Sequence, residues 1–179
     1  MAVKAAKNRI ALLKGLRARL AKTTDRLGQP IDKGILETVL YLNAFGLSTE
    51  ASCQGHGRGK KTKRDQHYRG PWVEIYPKEP QTKNWFKNAK LRNKVAAEGL
   101  KQQSRALELL AQFYRKHKVG YDTMLIISGI GYGFRVQSAG LETLNELPAA
   151  TINRRAVLYK REMREFTKFL ERYYKTSAT

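Results

Sequence analysis

The residues best equipped for chemistry lie in one short run, Ser52-Cys53-Gln54-Gly55-His56, followed across a polar loop by His67. A thiol three positions before an imidazole, with a second imidazole a loop away, supplies one sulfur and two ring nitrogens. Cys53, His56 and His67 could hold zinc with one coordination position left open, as catalytic zinc requires. The same residues could instead form a Cys53–His56 pair, in which the imidazole lowers the thiol pKa and the thiolate attacks an electrophile. The plain alternative is a small buried hydrophobe at Cys53 and ordinary polar loop histidines. A paired-knuckle zinc site is excluded, because Cys53 is the single cysteine. Glu50 and Glu74 are the nearby carboxylates. Glu74 shares a strand face with Trp72 and Tyr76, which makes it the candidate acid or base beside Cys53 and His56.

Charge defines a second set of residues. The chain has 35 Lys+Arg against 15 Asp+Glu, a formal +20 at pH 7, and contact with a polyanion relieves such self-repulsion. Nucleic acid is the commonest partner of this kind; a solubilising surface, an anionic membrane surface and an acidic protein are the others. The expected backbone contacts are Arg17 and Arg19 near the N-terminus, Arg58, Lys60, Lys61, Lys63, Arg64 and Arg69 in the polar loop, and Arg154, Arg155 and Arg161 near the C-terminus. Tyr68 and Trp72 flank the charged loop and are the candidates for stacking on bases. Basic residues with aromatics among them recur at Lys83, Trp85, Phe86 and Lys87, and at Tyr114, Arg115 and Lys116. These features predict a nucleic-acid-binding protein, RNA favoured over DNA, with a protein partner if it serves a ribonucleoprotein or mobile-element complex. The alternative is a nucleic-acid- or nucleotide-modifying enzyme built on the Cys/His pocket, zinc-dependent in one version.

The elements that must position these residues follow from periodicity. Helical spacing of Ile10, Leu13, Leu16, Leu20 and Leu27 predicts a basic helix ending at Gly28-Gln29-Pro30. A second helix is predicted to start near Pro30 and Asp32, with Ile35, Val39, Leu40 and Leu42 as its apolar stripe. Alternation predicts strands at 47–53 and 72–76, the first leading into the Cys53 element. A long helix is expected from Asn84 to about His117, burying Trp85, Leu91, Val95, Leu107, Leu110 and Phe113, with Gly99 as a bend or break. Strands at 121–128 and 134–138 form a hairpin. Its turn, Gly129-Ile130-Gly131-Tyr132-Gly133, lacks the lysine and hydroxyl of a phosphate-cradling loop. The last helix, about 152–174, turns Tyr159, Met163, Phe166, Leu170 and Tyr173 inward.

Together these predict a single α+β domain over 1–179, a small, mainly antiparallel sheet of four strands covered by four helices. Its parts are a basic N-terminal helix (1–27), a sheet core with a long helix (28–148) and a basic amphipathic C-terminal helix (149–179). One cysteine fits a reducing compartment and predicts a cytoplasmic protein. No apolar run approaches the roughly 20 residues that span a bilayer. The acid-free stretch Met1 to Thr24 has presequence-like amphipathicity but is Lys-rich and serine-poor, and is read as part of the mature protein.

The run from Asp32 to Tyr76, with Leu42-Asn43-Ala44-Phe45-Gly46-Leu47-Ser48-Thr49, Ser52-Cys53-Gln54-Gly55-His56 and Pro71-Trp72-Val73-Glu74-Ile75, resembles uncharacterised bacterial and phage proteins that carry a Ser-Cys-x-Gly-His element. Phe134-Arg135-Val136-Gln137-Ser138 and the closing helix extend that likeness over most of the chain. It brings no function with it. A shorter similarity joins Ser52-Cys53-Gln54-Gly55 to the Ser-Cys-Ser-Gly-Arg element of the wybutosine-tRNA methyltransferase family, with His56 in place of the arginine. That resemblance implies a tRNA or nucleotide connection, and nothing else in the chain supports an S-adenosylmethionine site.

Overall fold

The structure is a computed structural model and describes residues 2–25, 28–56 and 70–177. Four strands, β1 (Thr49–Cys53), β2 (Trp72–Ile75), β3 (Leu125–Ile130) and β4 (Gly133–Ser138), form one antiparallel sheet in the order β1-β2-β4-β3. Four α-helices accompany it: α1 (Ala2–Leu20), α2 (Leu36–Ala44), α3 (Ala89–Tyr114) and α4 (Ala149–Thr176). The class is α+β, as the periodicity predicts.

Side chains alternate across a pleated strand, so register decides which residues share a face. Val73 pairs with Val136 and Ile75 with Phe134, and none of the four is more than 2% exposed. Leu40 and Leu42 of α2, Leu109 and Phe113 of α3, and Met163, Phe166 and Leu170 of α4 complete this core. Each such side chain contributes about 1.5–3 kcal/mol on burial. The opposite face carries Trp72, Glu74, Arg135 and Gln137, whose registers interleave with those of the core residues.

Several boundaries differ from the periodic prediction, each for a local reason. The first helix stops at Leu20, well short of Leu27. Asp25 accepts from the Gln29 backbone N–H at 2.8 Å, and Thr24 bridges to Pro30, so turn chemistry replaces the helix. Arg26 and Leu27 lie outside the described residues. The second helix begins at Leu36, because Asp32 and its neighbours form a turn in which Ile35 and Leu36 donate to the Asp32 carbonyl. Ahead of α3, Asn84 has φ 58° and residues 85–87 are a 3-10 turn. The helix proper starts after Asn88, whose side chain accepts from the Leu91 N–H at 3.1 Å.

Helix faces were also partly misassigned by spacing. Leu107 is 51% exposed, because it lies about 100° round the helix from the buried Ala106. Ile10 is likewise exposed, and Tyr174, not Tyr173, is the buried tyrosine at the end of α4.

Polar contacts fasten the helices to their neighbours. Arg9 donates to the Tyr174 and Ser177 carbonyls at the end of α4. Asp122 accepts from Arg155 at 2.6 Å and from the Tyr159 hydroxyl at 3.0 Å, and burial followed by that bond pushes the Tyr159 phenol up to about 12. Buried Glu162 accepts from the Tyr114 hydroxyl at 2.7 Å and lies 2.9 Å from His117 Nε2.

Gly99 neither bends nor breaks α3. It sits inside the helix with its α-carbon against the Tyr132 carbonyl of the β3–β4 turn, where a Cβ would overlap that oxygen. Gly to Ala in a helix normally gains about 1 kcal/mol. Here Gly99→Ala is expected to lose about 1–3 kcal/mol through overpacking, read as a lower urea midpoint at unchanged slope.

Candidate functional site

A broad cleft of about 1750 Å³ runs beside β1, the edge strand of the sheet. One wall is the polar sheet face. Cys53 pairs with Trp72 and Ala51 with Glu74, so the thiol emerges on the face that also carries Arg135 and Gln137. The other wall is the segment joining α1 to α2. Among the described residues its charged lining is mixed: Asp25, Asp32, Glu50, Glu74 and Glu79 stand with Arg19, Lys33 and Lys78.

The Cys53 element is fixed to the Asp32 turn by backbone hydrogen bonds. Gln54 N–H donates to Asp32 Oδ2 at 3.1 Å, and Gly34 N–H donates to Gln54 Oε1 at 2.9 Å. A Cβ on Gly34 would meet the Gln54 amide oxygen, so a larger residue there would push this side chain aside. Gly55, at φ +76°, turns the chain so that its N–H donates to Cys53 Sγ at 3.3 Å. The turn then presents His56, whose Nε2 lies 3.2 Å from Asp32 Oδ2. Cys53, His56 and Asp32 each offer one ligand atom, all within 4.8 Å of one another, the one such group of His, Cys, Asp or Glu among the described residues.

Sequence pattern joined Cys53 to His56 but missed Asp32, which a helix start seemed to claim. Its signal was the turn chemistry of Asp32-Lys33-Gly34. His67, the third ligand expected from sequence, lies outside the described residues. So do Arg58, Lys60, Lys61, Lys63, Arg64, Tyr68 and Arg69 of the basic loop.

Burial pushes the Cys53 thiol up, and Asp32 raises it further, against the opposing pull of the Gly55 N–H and of Lys160 and Arg135. A thiol held protonated is a weak nucleophile. A cation bound there would likewise have to displace that proton, because the thiolate is also the form that ligates a metal. Glu74 lines the cleft but is engaged by Arg135 at 3.0 Å, and the same guanidinium lies 4.2 Å over the Trp72 ring. Trp72 is 8% exposed, so the stacking role expected of it is replaced by this intramolecular one.

Some of the described cations are engaged by partners and others are exposed on outer faces. Arg17 is bound bidentately by Glu37 at 2.8 and 2.9 Å, Arg19 donates to Asn43, and Arg155 is held by Asp122. Arg154 and Arg161 stand exposed on α4, with Arg164 and Arg172 beyond them. From Arg154 to Arg172 this row extends about 27 Å along the helix. A second group surrounds the start of α3, where Lys83, Lys87, Lys90 and Lys94 are exposed and no acid occurs between Glu79 and Glu98. There Trp85 is buried, its indole N–H donating to Glu79 at 3.1 Å, whereas Phe86 is 52% exposed. The Tyr114 ring likewise serves the interior, its hydroxyl bonded to Leu125 N–H and Glu162.

No family model, curated protein or solved structure matches the chain, so its own side chains carry the functional reading. Iodoacetamide is expected to alkylate Cys53 in the native protein at least roughly tenfold more slowly than in urea at the same pH, because thiolate fraction and access both fall on folding. A native rate equal to the unfolded one would show an activated, accessible thiol.

Proposed function

We propose that the protein binds the phosphate backbone of structured nucleic acid, RNA in preference to DNA, through the outer face of α4 and the cationic start of α3. The observation that carries this is the arginine row of α4. Between Glu146 and Glu165 the sequence contains one carboxylate, Glu162, and that side chain is buried against Tyr114 and His117. The outer face of this stretch thus presents Arg154, Arg161 and Arg164 together with exposed Val157 and Leu158, with Glu165 one turn beyond Arg161 and paired to Lys168. Guanidinium groups bind phosphate oxygens bidentately, which suits a row of arginines to a sugar-phosphate strand.

The start of α3 supports the same role. Its lysines add to the partial positive charge of the helix terminus, and Phe86 offers a ring to an unstacked base. Binding of this kind is tolerant of sequence, because backbone contacts position a protein without reading bases. It fits an accessory subunit of a ribonucleoprotein in the cytoplasm, where a single cysteine stays reduced. No helix among the described residues is long and apolar enough to cross a membrane.

Contacts to about six to ten phosphates would weaken binding by roughly 10³- to 10⁵-fold between 50 and 200 mM salt. Fluorescence anisotropy with a duplex or hairpin RNA measures this. Arg161→Glu combined with Arg164→Glu is expected to flatten the log–log salt slope by about 2 while leaving the melting temperature unchanged. A salt-independent affinity in the wild-type protein sinks the proposal.

A further inference from the structure

The cleft beside β1 holds a constellation that phosphate binding does not use. Asp32, Cys53 and His56 come from two separate segments and bring a carboxylate oxygen, a sulfur and a ring nitrogen within 4.8 Å of one another. Ligand atoms at 2.0–2.3 Å from a tetrahedral zinc are about 3.3–3.8 Å apart along each edge. The His56–Asp32 separation of 3.2 Å already meets that spacing. The wider pairs, at most 4.8 Å apart, need to close by up to about 1.5 Å, and the half-exposed His56 ring is free to rotate toward the other two.

A further observation points the same way. The backbone N–H groups of Gly55 and Gln54 are aimed at Cys53 Sγ and Asp32 Oδ2, the outer contacts that orient ligands around a metal.

We infer that Asp32, Cys53 and His56 bind one zinc ion, with its fourth coordination position facing the cleft. A donor set of one sulfur, one nitrogen and one oxygen selects zinc over the hard cations magnesium and calcium, which take oxygen ligands. On binding, the Cys53 S–H bond breaks, the sulfur–zinc bond forms and the proton leaves to solvent, with no change of oxidation state. The Asp32–His56 contact gives way to two metal bonds. A water or a substrate oxygen completes the tetrahedron from the cleft. This inference stands apart from the nucleic-acid proposal, because it uses neither α4 nor the start of α3.

The test uses full-length protein stripped with a chelator, then titrated with Zn²⁺ against a chromophoric competitor and with Co²⁺ as an optical probe. One equivalent of Zn²⁺ is expected to bind, undisturbed by excess Mg²⁺, and the Co²⁺ form should show a thiolate-to-cobalt charge-transfer band that Cys53→Ser abolishes. Asp32→Asn and His56→Ala should each weaken Zn²⁺ binding by roughly 100-fold or more, since even outer contacts to metal ligands are worth 10- to 100-fold. His56 is 54% exposed and its replacement leaves the core intact, so His56→Ala decides the matter even if Cys53→Ser does not fold. Absence of saturable Zn²⁺ binding overturns the inference. So does a site whose affinity and cobalt spectrum are the same in His56→Ala as in the wild-type protein.

Discussion

The register between β2 and β4 pairs like with like: Val73 faces Val136 and Ile75 faces Phe134 on one side, while Trp72 faces Gln137 and Glu74 faces Arg135 on the other. A slip of one residue would exchange the two faces. Glu74 and Arg135 would then lie under α2, α3 and α4, where desolvating an ion pair costs several kcal/mol per charge, and the valines would meet the cleft. The register is therefore strongly specified. Through β1, whose Cys53 pairs with Trp72, it also fixes where the thiol emerges. Core and cleft are consequences of the same alternation.

Scarce carboxylates shape the rest. The described acids repeatedly sit where two elements meet: Glu37 with Arg17 between α2 and α1, Asp122 with Arg155 before β3, and Glu162 with His117 and Tyr114 between α4 and the end of α3. The Arg17–Glu37 pair is about half exposed on both sides, so it adds at most about 1 kcal/mol. Its larger effect is on charge distribution, since it neutralises a cation at the junction of α1 and α2. Glu162 is different. At 3% side-chain exposure it depends on its partners, because a buried carboxylate without them costs far more than the bond contributes.

How much of this was legible in the sequence depends on whether the information was local. Strands 72–75 and 133–138 were, because alternation is a property of neighbouring residues. The end of α1 was not read correctly, because leucine spacing continued to Leu27 while Thr23-Thr24-Asp25 carried competing turn chemistry. Leu107 was misplaced for a related reason: a leucine at helical spacing says that a stripe exists but not how wide the covered arc is. At the site, Cys53 and His56 were legible through adjacency. Asp32 was not, since its carboxylate meets them by accepting from the Gln54 N–H and lying against His56, contacts across more than twenty positions that no periodicity encodes. Trp72 looked like a stacking residue beside a basic loop, yet the strand pairing that places Arg135 over its ring is non-local.

Among the described residues, exposed arginines lie along α4 and exposed lysines around the start of α3. A divalent cation held by Asp32, Cys53 and His56, as inferred above, would add positive charge at the cleft and offer a coordination position to an oxygen. Phosphate would then be held by arginines at a distance and by a metal close to. The surface proposed to hold phosphate and the inferred metal site would thus be separate parts of one small domain, α4 and the start of α3 on one hand and the Asp32 turn with the end of β1 on the other.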